Sequence, residues 1–120
     1  EIAAHLRRAD VVVRPTLTEG MSLTVLEAMA SGACVVASNV PGNAELIAHG
    51  VNGLLAPAGD RAAFAAQLRR AVDDPRERRR LGERAAEDSL AYSWDRCAEE
   101  TLAVFEEAAR RGADRRRASA

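Results

Sequence analysis

Thr18-Glu19-Gly20-Met21-Ser22-Leu23-Thr24-Val25-Leu26-Glu27-Ala28-Met29-Ala30 is the stretch that decides how this chain folds. It opens as a polar loop, passes through one glycine, and turns helical over Ser22 to Ala30, with Ser31-Gly32 ending the helix in glycine's usual C-terminal place. Just upstream, Val11-Val12-Val13 is a short run apolar on both faces, stopped by Pro15. Just downstream, Ala33-Cys34-Val35-Val36-Ala37 is a second such run. Strands of that kind suit the interior of a parallel sheet covered by helices. The stretch therefore leads from the carboxyl end of one strand into a crossover helix, and that edge of an α/β sheet is where ligands bind.

Working outward, the alternation continues. Glu1 to Arg8 reads as the end of a helix, with Ile2 and Leu6 on one face. After the second strand come the turn residues Asn39, Pro41, Gly42 and Asn43. A short helix over Ala44 to Ala48 follows, then the tight turn Gly50-Val51-Asn52-Gly53 and a third strand, Leu54-Leu55-Ala56. Asp60 caps a long helix carrying Phe64, Leu68 and Val72 at a spacing of four. Asp73-Asp74-Pro75 interrupts it; further helices are expected from Arg76 to Leu90 and from Trp94 to Arg111. The order implies right-handed crossovers and an α/β fold: a partial Rossmann-like parallel sheet followed by a helical C-terminal segment. Three strands are few for an open sheet, so residues 1–111 are expected to be part of a domain and 112–120 a flexible charged tail. Glu1 is not an initiator Met, and the chain is expected to be cut from something longer. An incomplete sheet with an open edge should be only marginally stable alone.

Composition narrows the function. The 120 residues are 48% hydrophobic, which excludes a disordered chain, and they allow one domain or part of one. With 17 basic residues against 18 acidic ones, there is no overall field to attract nucleic acid. No apolar run is long enough to span a membrane. Cys34 and Cys97 cannot build a disulfide framework and have no metal-ligand spacing; both are expected to be buried, reduced thiols in a cytoplasmic protein.

The chemistry lies in the opening stretch. Gly20 lets a backbone approach a ligand without a Cβ in the way. The amides around Ser22, Leu23 and Thr24 belong to the first turn of the helix, where they lack intrahelical partners and can hold a phosphate. Glu19 just before the helix and Glu27 within it flank that anion site, and carboxylates accept hydrogen bonds from sugar hydroxyls. A phosphate cradle between two hydroxyl acceptors matches a nucleotide-sugar. The same residues also fit a blander account, in which Glu27 is a dipole partner and Gly20 a turn residue, and spacing alone leaves both standing.

Glu19 and Glu27 together resemble the E-x7-E signature of retaining glycosyltransferases of the GT-B fold, family 4. Ala9-Asp10-Val11-Val12-Val13-Arg14-Pro15-Thr16 is similar to that family's "ADVFVLPS" strand, and Leu26 to Ala37 resembles its "LEAMASGxPVVA" block. Pro41 to Ile47 stands in for "GGxxEIV", Gly50 to Leu55 for "GxxGLL", and Ser93-Trp94 with its helix resembles the family's last crossover helix. The resemblance implies the C-terminal, donor-binding portion of a glycosyltransferase that moves a hexose from a UDP-, GDP- or ADP-sugar with retention of configuration. It implies no bound metal and no other cofactor. It makes Glu19 the acid that binds the transferred sugar and acts in catalysis, and Glu27 the ribose ligand. Gly20, Met21, Ser22, Leu23 and Thr24 become the backbone that holds sugar and diphosphate, and Glu45 a residue lining the cleft. The acceptor, a glycan, glycolipid or small molecule, would bind an N-terminal domain upstream of Glu1, together with the family's basic pair. The third and fourth places of the usual Glu-Gly-Phe-Gly are Met21 and Ser22 here, and the Ser22 hydroxyl is expected at the phosphate. Arg14 replaces an apolar residue and is read as structural, with the cleft as its alternative.

Other residues read as structure. His5 and His49 lack positioned partners, Trp94 is a packing anchor, and Asp73, Asp74 and Asp95 cap helices. The arginine runs at 76–80 and 115–117 form a solvated face, with contact to anionic lipid at the inner face of a membrane as the minor reading. Two rival functions remain: a nucleotide-binding regulatory module without transferase activity, and a structural helical fragment whose Glu pair is capping chemistry.

Overall fold

The computed structural model describes residues 1–120, which divide into two compact units, Glu1–Leu90 and Ala91–Ala120. The first holds α1 (Ile2–Arg8), β1 (Val11–Arg14), α2 (Leu23–Ala30), β2 (Cys34–Asn39), α3 (Pro41–Ala44), β3 (Leu54–Pro57), α4 (Arg61–Asp73) and α5 (Pro75–Ser89). The strands form one parallel sheet in the order β1-β2-β3, with Val11 opposite Cys34 and Val36 opposite Leu54.

The period of two along β2 builds a core on each face of the sheet. Val35 and Ala37 join Val25, Ala28 and Met29 of α2, Leu46, Ile47 and Ala85 on one side. Cys34 and Val36 join Leu54, Ala71 of α4 and Leu81 of α5 on the other. Burial of each large aliphatic side chain among these contributes about 1.5–3 kcal/mol. Two glycines let helices come close. At Gly32 (φ +80°) the chain leaves α2, and a Cβ on Gly82 of α5 would lie 2.1 Å from the Gly32 carbonyl oxygen, so only glycine admits that contact.

Ends of helices follow their side chains. Asp60 accepts from the Ala63 amide (2.9 Å), and Asp74 from the Arg76 and Glu77 amides (3.1 and 3.0 Å). Of the three aspartates expected to cap, Asp74 does so; Asp73 ends α4, and Asp95 lies in the first turn of a helix capped by Ser93. The arginine run is more than a solvated face: Arg78 donates to the Ala71 and Val72 carbonyls at the end of α4 (3.0 and 2.9 Å). Arg70 clasps Glu77 of the next helix (2.9 and 2.5 Å) and holds its carboxyl below the usual range.

The short helix expected at Ala44 to Ala48 instead occupies Pro41–Ala44. Proline stands at its first position, where its missing N–H costs nothing, and the buried Asn43 ties it to the Ser38 carbonyl (2.9 Å).

The second unit is α6 (Trp94–Ala118), capped by the Ser93 hydroxyl at the Arg96 amide (3.1 Å). The helix expected to stop at Arg111 continues through Gly112 to Ala118. One interior glycine costs about 1 kcal/mol, while Ala113 and the arginines that follow are good helix formers and suit a C-terminal dipole. Trp94 is 77% exposed, not the packing anchor expected of it, and Cys97 is exposed, not buried. Both lie on a helix with no buried residue. No helix of the chain is long and apolar enough to cross a membrane.

Candidate functional site

The carboxyl ends of β1 and β2 meet the loop that leads into α2, and three contacts fix that loop. Thr16 donates its amide to the Ser38 hydroxyl of β2 (2.9 Å). Glu19 and Gly20 press their backbone against the start of α3: a Cβ on Gly42 would stand 1.6 Å from the Gly20 carbonyl oxygen and 2.7 Å from that of Glu19. Arg14, the last residue of β1, donates from Nε (3.0 Å) and a terminal nitrogen (2.7 Å) to Glu19 Oε2. Two buried polar atoms near this junction, Thr16 Oγ1 and Asn43 Oδ1, have no partner within the chain.

The residues singled out from sequence fall as follows. Ser22 is the buried N-cap of α2, accepting from the Val25 amide (3.4 Å), while its carbonyl takes the Leu26 amide (3.0 Å). The hydroxyl thus accepts from its own helix, and its O–H is left to donate. The Leu23 and Thr24 amides find no acceptor in the chain and belong to exposed residues, so the donors of the helix's opening turn are present. Met21 is exposed and adds an apolar surface beside them. Gly20 has open space where a Cβ would go and no positive φ; the glycine the geometry requires is Gly42. Pro41-Gly42 marks a turn after β2 in the sequence, but not the backbone that the glycine meets. Glu19 is half-buried, with 19% of its side chain exposed. Glu27 is exposed on α2, one turn past the opening amides, and Glu45 is exposed at the end of α3.

His49 is structural, its Nδ1 accepting from the Leu55 amide (3.0 Å). Asn52, buried in the turn before β3, accepts from Ala48 and donates to Leu46 and to Asp88 of α5. Arg84 first and Asn52 second keep the Asp88 carboxyl below its ordinary range. Cys34 sits in the core; burial, aided by the charge of Glu77, pushes its thiol up to about 11, so it is protonated and inert at neutral pH.

The profile of the family described as "Glycosyl transferases group 1" matches residues 1–88. The chain belongs to that family. The match ends two residues before the first compact unit does, so the sheet, the loop and all but the last residue of α5 lie within the group 1 glycosyl transferase match. A D-inositol 3-phosphate glycosyltransferase of Streptomyces bingchenggensis is 36% identical over 110 residues, 92% of this chain and 24% of that protein. The chain thus spans about a quarter of the length of such relatives. Among solved structures, sucrose-phosphate synthase of Thermosynechococcus elongatus superposes with a TM-score of 0.83 at 32% identity, over 88% of this chain and 27% of that one. The Anabaena protein HepE in complex with UDP-glucose shares the fold, with a TM-score of 0.82 at 24% identity over 88% of this chain and 30% of its own. As in those structural neighbours, the fold is a parallel sheet flanked by helices and followed by a helical segment.

Proposed function

We propose that this group 1 glycosyl transferase unit binds the nucleotide-diphosphate sugar from which a hexose is transferred, with retention of configuration, to a glycan, glycolipid or small-molecule acceptor. The observation that carries the reading is the set of unpaired amides at Leu23 and Thr24, lying between two acids, Glu19 and Glu27. In this reading the diphosphate docks on the opening turn of α2, where N–H groups and the helix dipole favour negative charge. Glu27 accepts hydrogen bonds from the ribose diol and Glu19 from the hydroxyls of the sugar, while Gly20, Met21 and the Ser22 backbone form the wall between them. Glu45 lines the cleft from α3.

Charge builds on the diphosphate as the glycosidic bond breaks, and donors already aimed at it stabilise that charge without reorganising. No metal is needed in this scheme. The donor would be a UDP-, GDP- or ADP-sugar; the UDP-glucose bound by a neighbour of the same fold supports that class. The acceptor would bind outside this chain, in keeping with the small share of its relatives that the chain spans. Calorimetric titration with UDP-, GDP- and ADP-sugars tests the reading. Glu27→Gln is expected to weaken the bound pair about tenfold, the size of one charge-assisted hydrogen bond. Unchanged affinity in that variant contradicts the assignment.

A further inference from the structure

Arg14 ends a strand whose other residues, Val11 to Val13, are all apolar. Its side chain, 39% exposed, does not simply reach for solvent. It closes on Glu19 with two donors, Nε and a terminal nitrogen, at 3.0 and 2.7 Å, and both bonds land on Oε2. Neither uses Oε1, which leaves one carboxylate oxygen outside the clasp. A planar fork on one oxygen fixes the direction of a carboxylate more firmly than a point charge can. Two of the three contacts on this loop act at Glu19, on different atoms: Gly42 seats the Glu19–Gly20 backbone, and Arg14 alone is bonded to the Glu19 carboxylate.

A glutamate on a loop loses rotamer freedom when it accepts a hydroxyl, and that loss weakens binding. One already clasped loses less. Resting on the reading of Glu19 under Proposed function, we propose that Arg14 is the positioning residue for Glu19. It orders the acid before the sugar arrives, and so sets how strongly the hexose, as distinct from the nucleotide, is held.

The test is calorimetry on the 120-residue chain with UDP against UDP-glucose, and with GDP against GDP-mannose and ADP against ADP-glucose. The readout is the ratio of the nucleotide Kd to the nucleotide-sugar Kd, which cancels effects common to both ligands. Arg14→Met should lower that ratio about three- to tenfold. Arg14→Lys, keeping the charge without the fork, should recover part of it. In a Glu19→Gln background Arg14→Met should change the ratio no further, because both act on one contact. Circular dichroism checks that each variant folds; if Arg14→Met does not, Arg14→Lys carries the comparison and must still lower the ratio. An unchanged ratio, or Arg14 and Glu19 effects that add, overturns the inference while leaving the donor site standing. Absence of binding to all three pairs by the unaltered chain overturns the donor-site reading, and this inference with it.

Discussion

At Gly42 one methyl group has no room: it would meet the Gly20 carbonyl oxygen at 1.6 Å. Gly42→Ala must therefore displace the Glu19–Gly20 peptide, at a cost of about 1–3 kcal/mol typical of overpacking. Urea denaturation should show that loss, and nucleotide-sugar affinity should fall with it; full stability in this variant would mean the loop is not seated as described. The cysteines give a second test at this scale. Cys97 is exposed and should react with a thiol reagent at once, whereas Cys34 should react only on unfolding. Because the folded Cys34 thiol is raised to about 11, its contribution to stability is complete below the unfolded value of about 8.5 and is lost as pH climbs from there toward 11. Cys34→Ala should remove that part of the alkaline decline, read by urea midpoints between pH 8 and 10.5. The places of Glu19 before α2 and Glu27 within it were legible in the sequence, while their spacing alone left open whether they bind a ligand or only serve the helix. Gly42 and the Arg14 clasp were not, since each depends on a partner that only the folded chain brings near.

Helix α2 starts at Leu23 because Ser22 caps it and leaves the next two amides free. Ser22→Ala should cost about 0.5–1 kcal/mol by denaturant titration, and a neutral result would show that the cap is idle. Between α4 and α5, Arg70 depresses the Glu77 carboxyl, so this pair's stabilisation is present above the unfolded value near 4.3 and is lost as pH falls through the lower folded value. Arg70 is half exposed and the effect is small; Glu77→Gln should flatten the acid limb of the stability profile slightly. Elements with continuous apolar runs, β1, β2 and β3, could be read directly, as could α2 and α4 from their spacing. The bounds of two helices could not. Pro41 looks like a turn residue in sequence yet opens α3, where proline is suited to the first position, and Gly112 looks like a stop yet lies inside α6, where the helix formers around it outweigh its cost.

Taken whole, the chain is a parallel sheet of three strands in which only β2 is paired on both sides. β1 and β3 each leave one row of N–H and C=O groups without a strand partner, which favours marginal stability and association through the edges. A broad thermal transition that depends on protein concentration is expected; a sharp, concentration-independent melt would contradict it. Fold class and family were both legible, since the ordered blocks from Ala9 to Leu55 run through the sheet in sequence order and the family profile spans the same unit. The extent of α6 and the exposure of Trp94 were not, because amphipathic spacing does not say what a helix packs against. The central claim is that the opening turn of α2 receives a diphosphate. Amide NMR of the chain during titration with UDP, GDP and ADP tests it most directly. The Leu23 and Thr24 amides should shift first and furthest with at least one nucleotide, and Glu27→Gln should weaken that response; shifts confined to other residues, with those two amides unmoved, would contradict it.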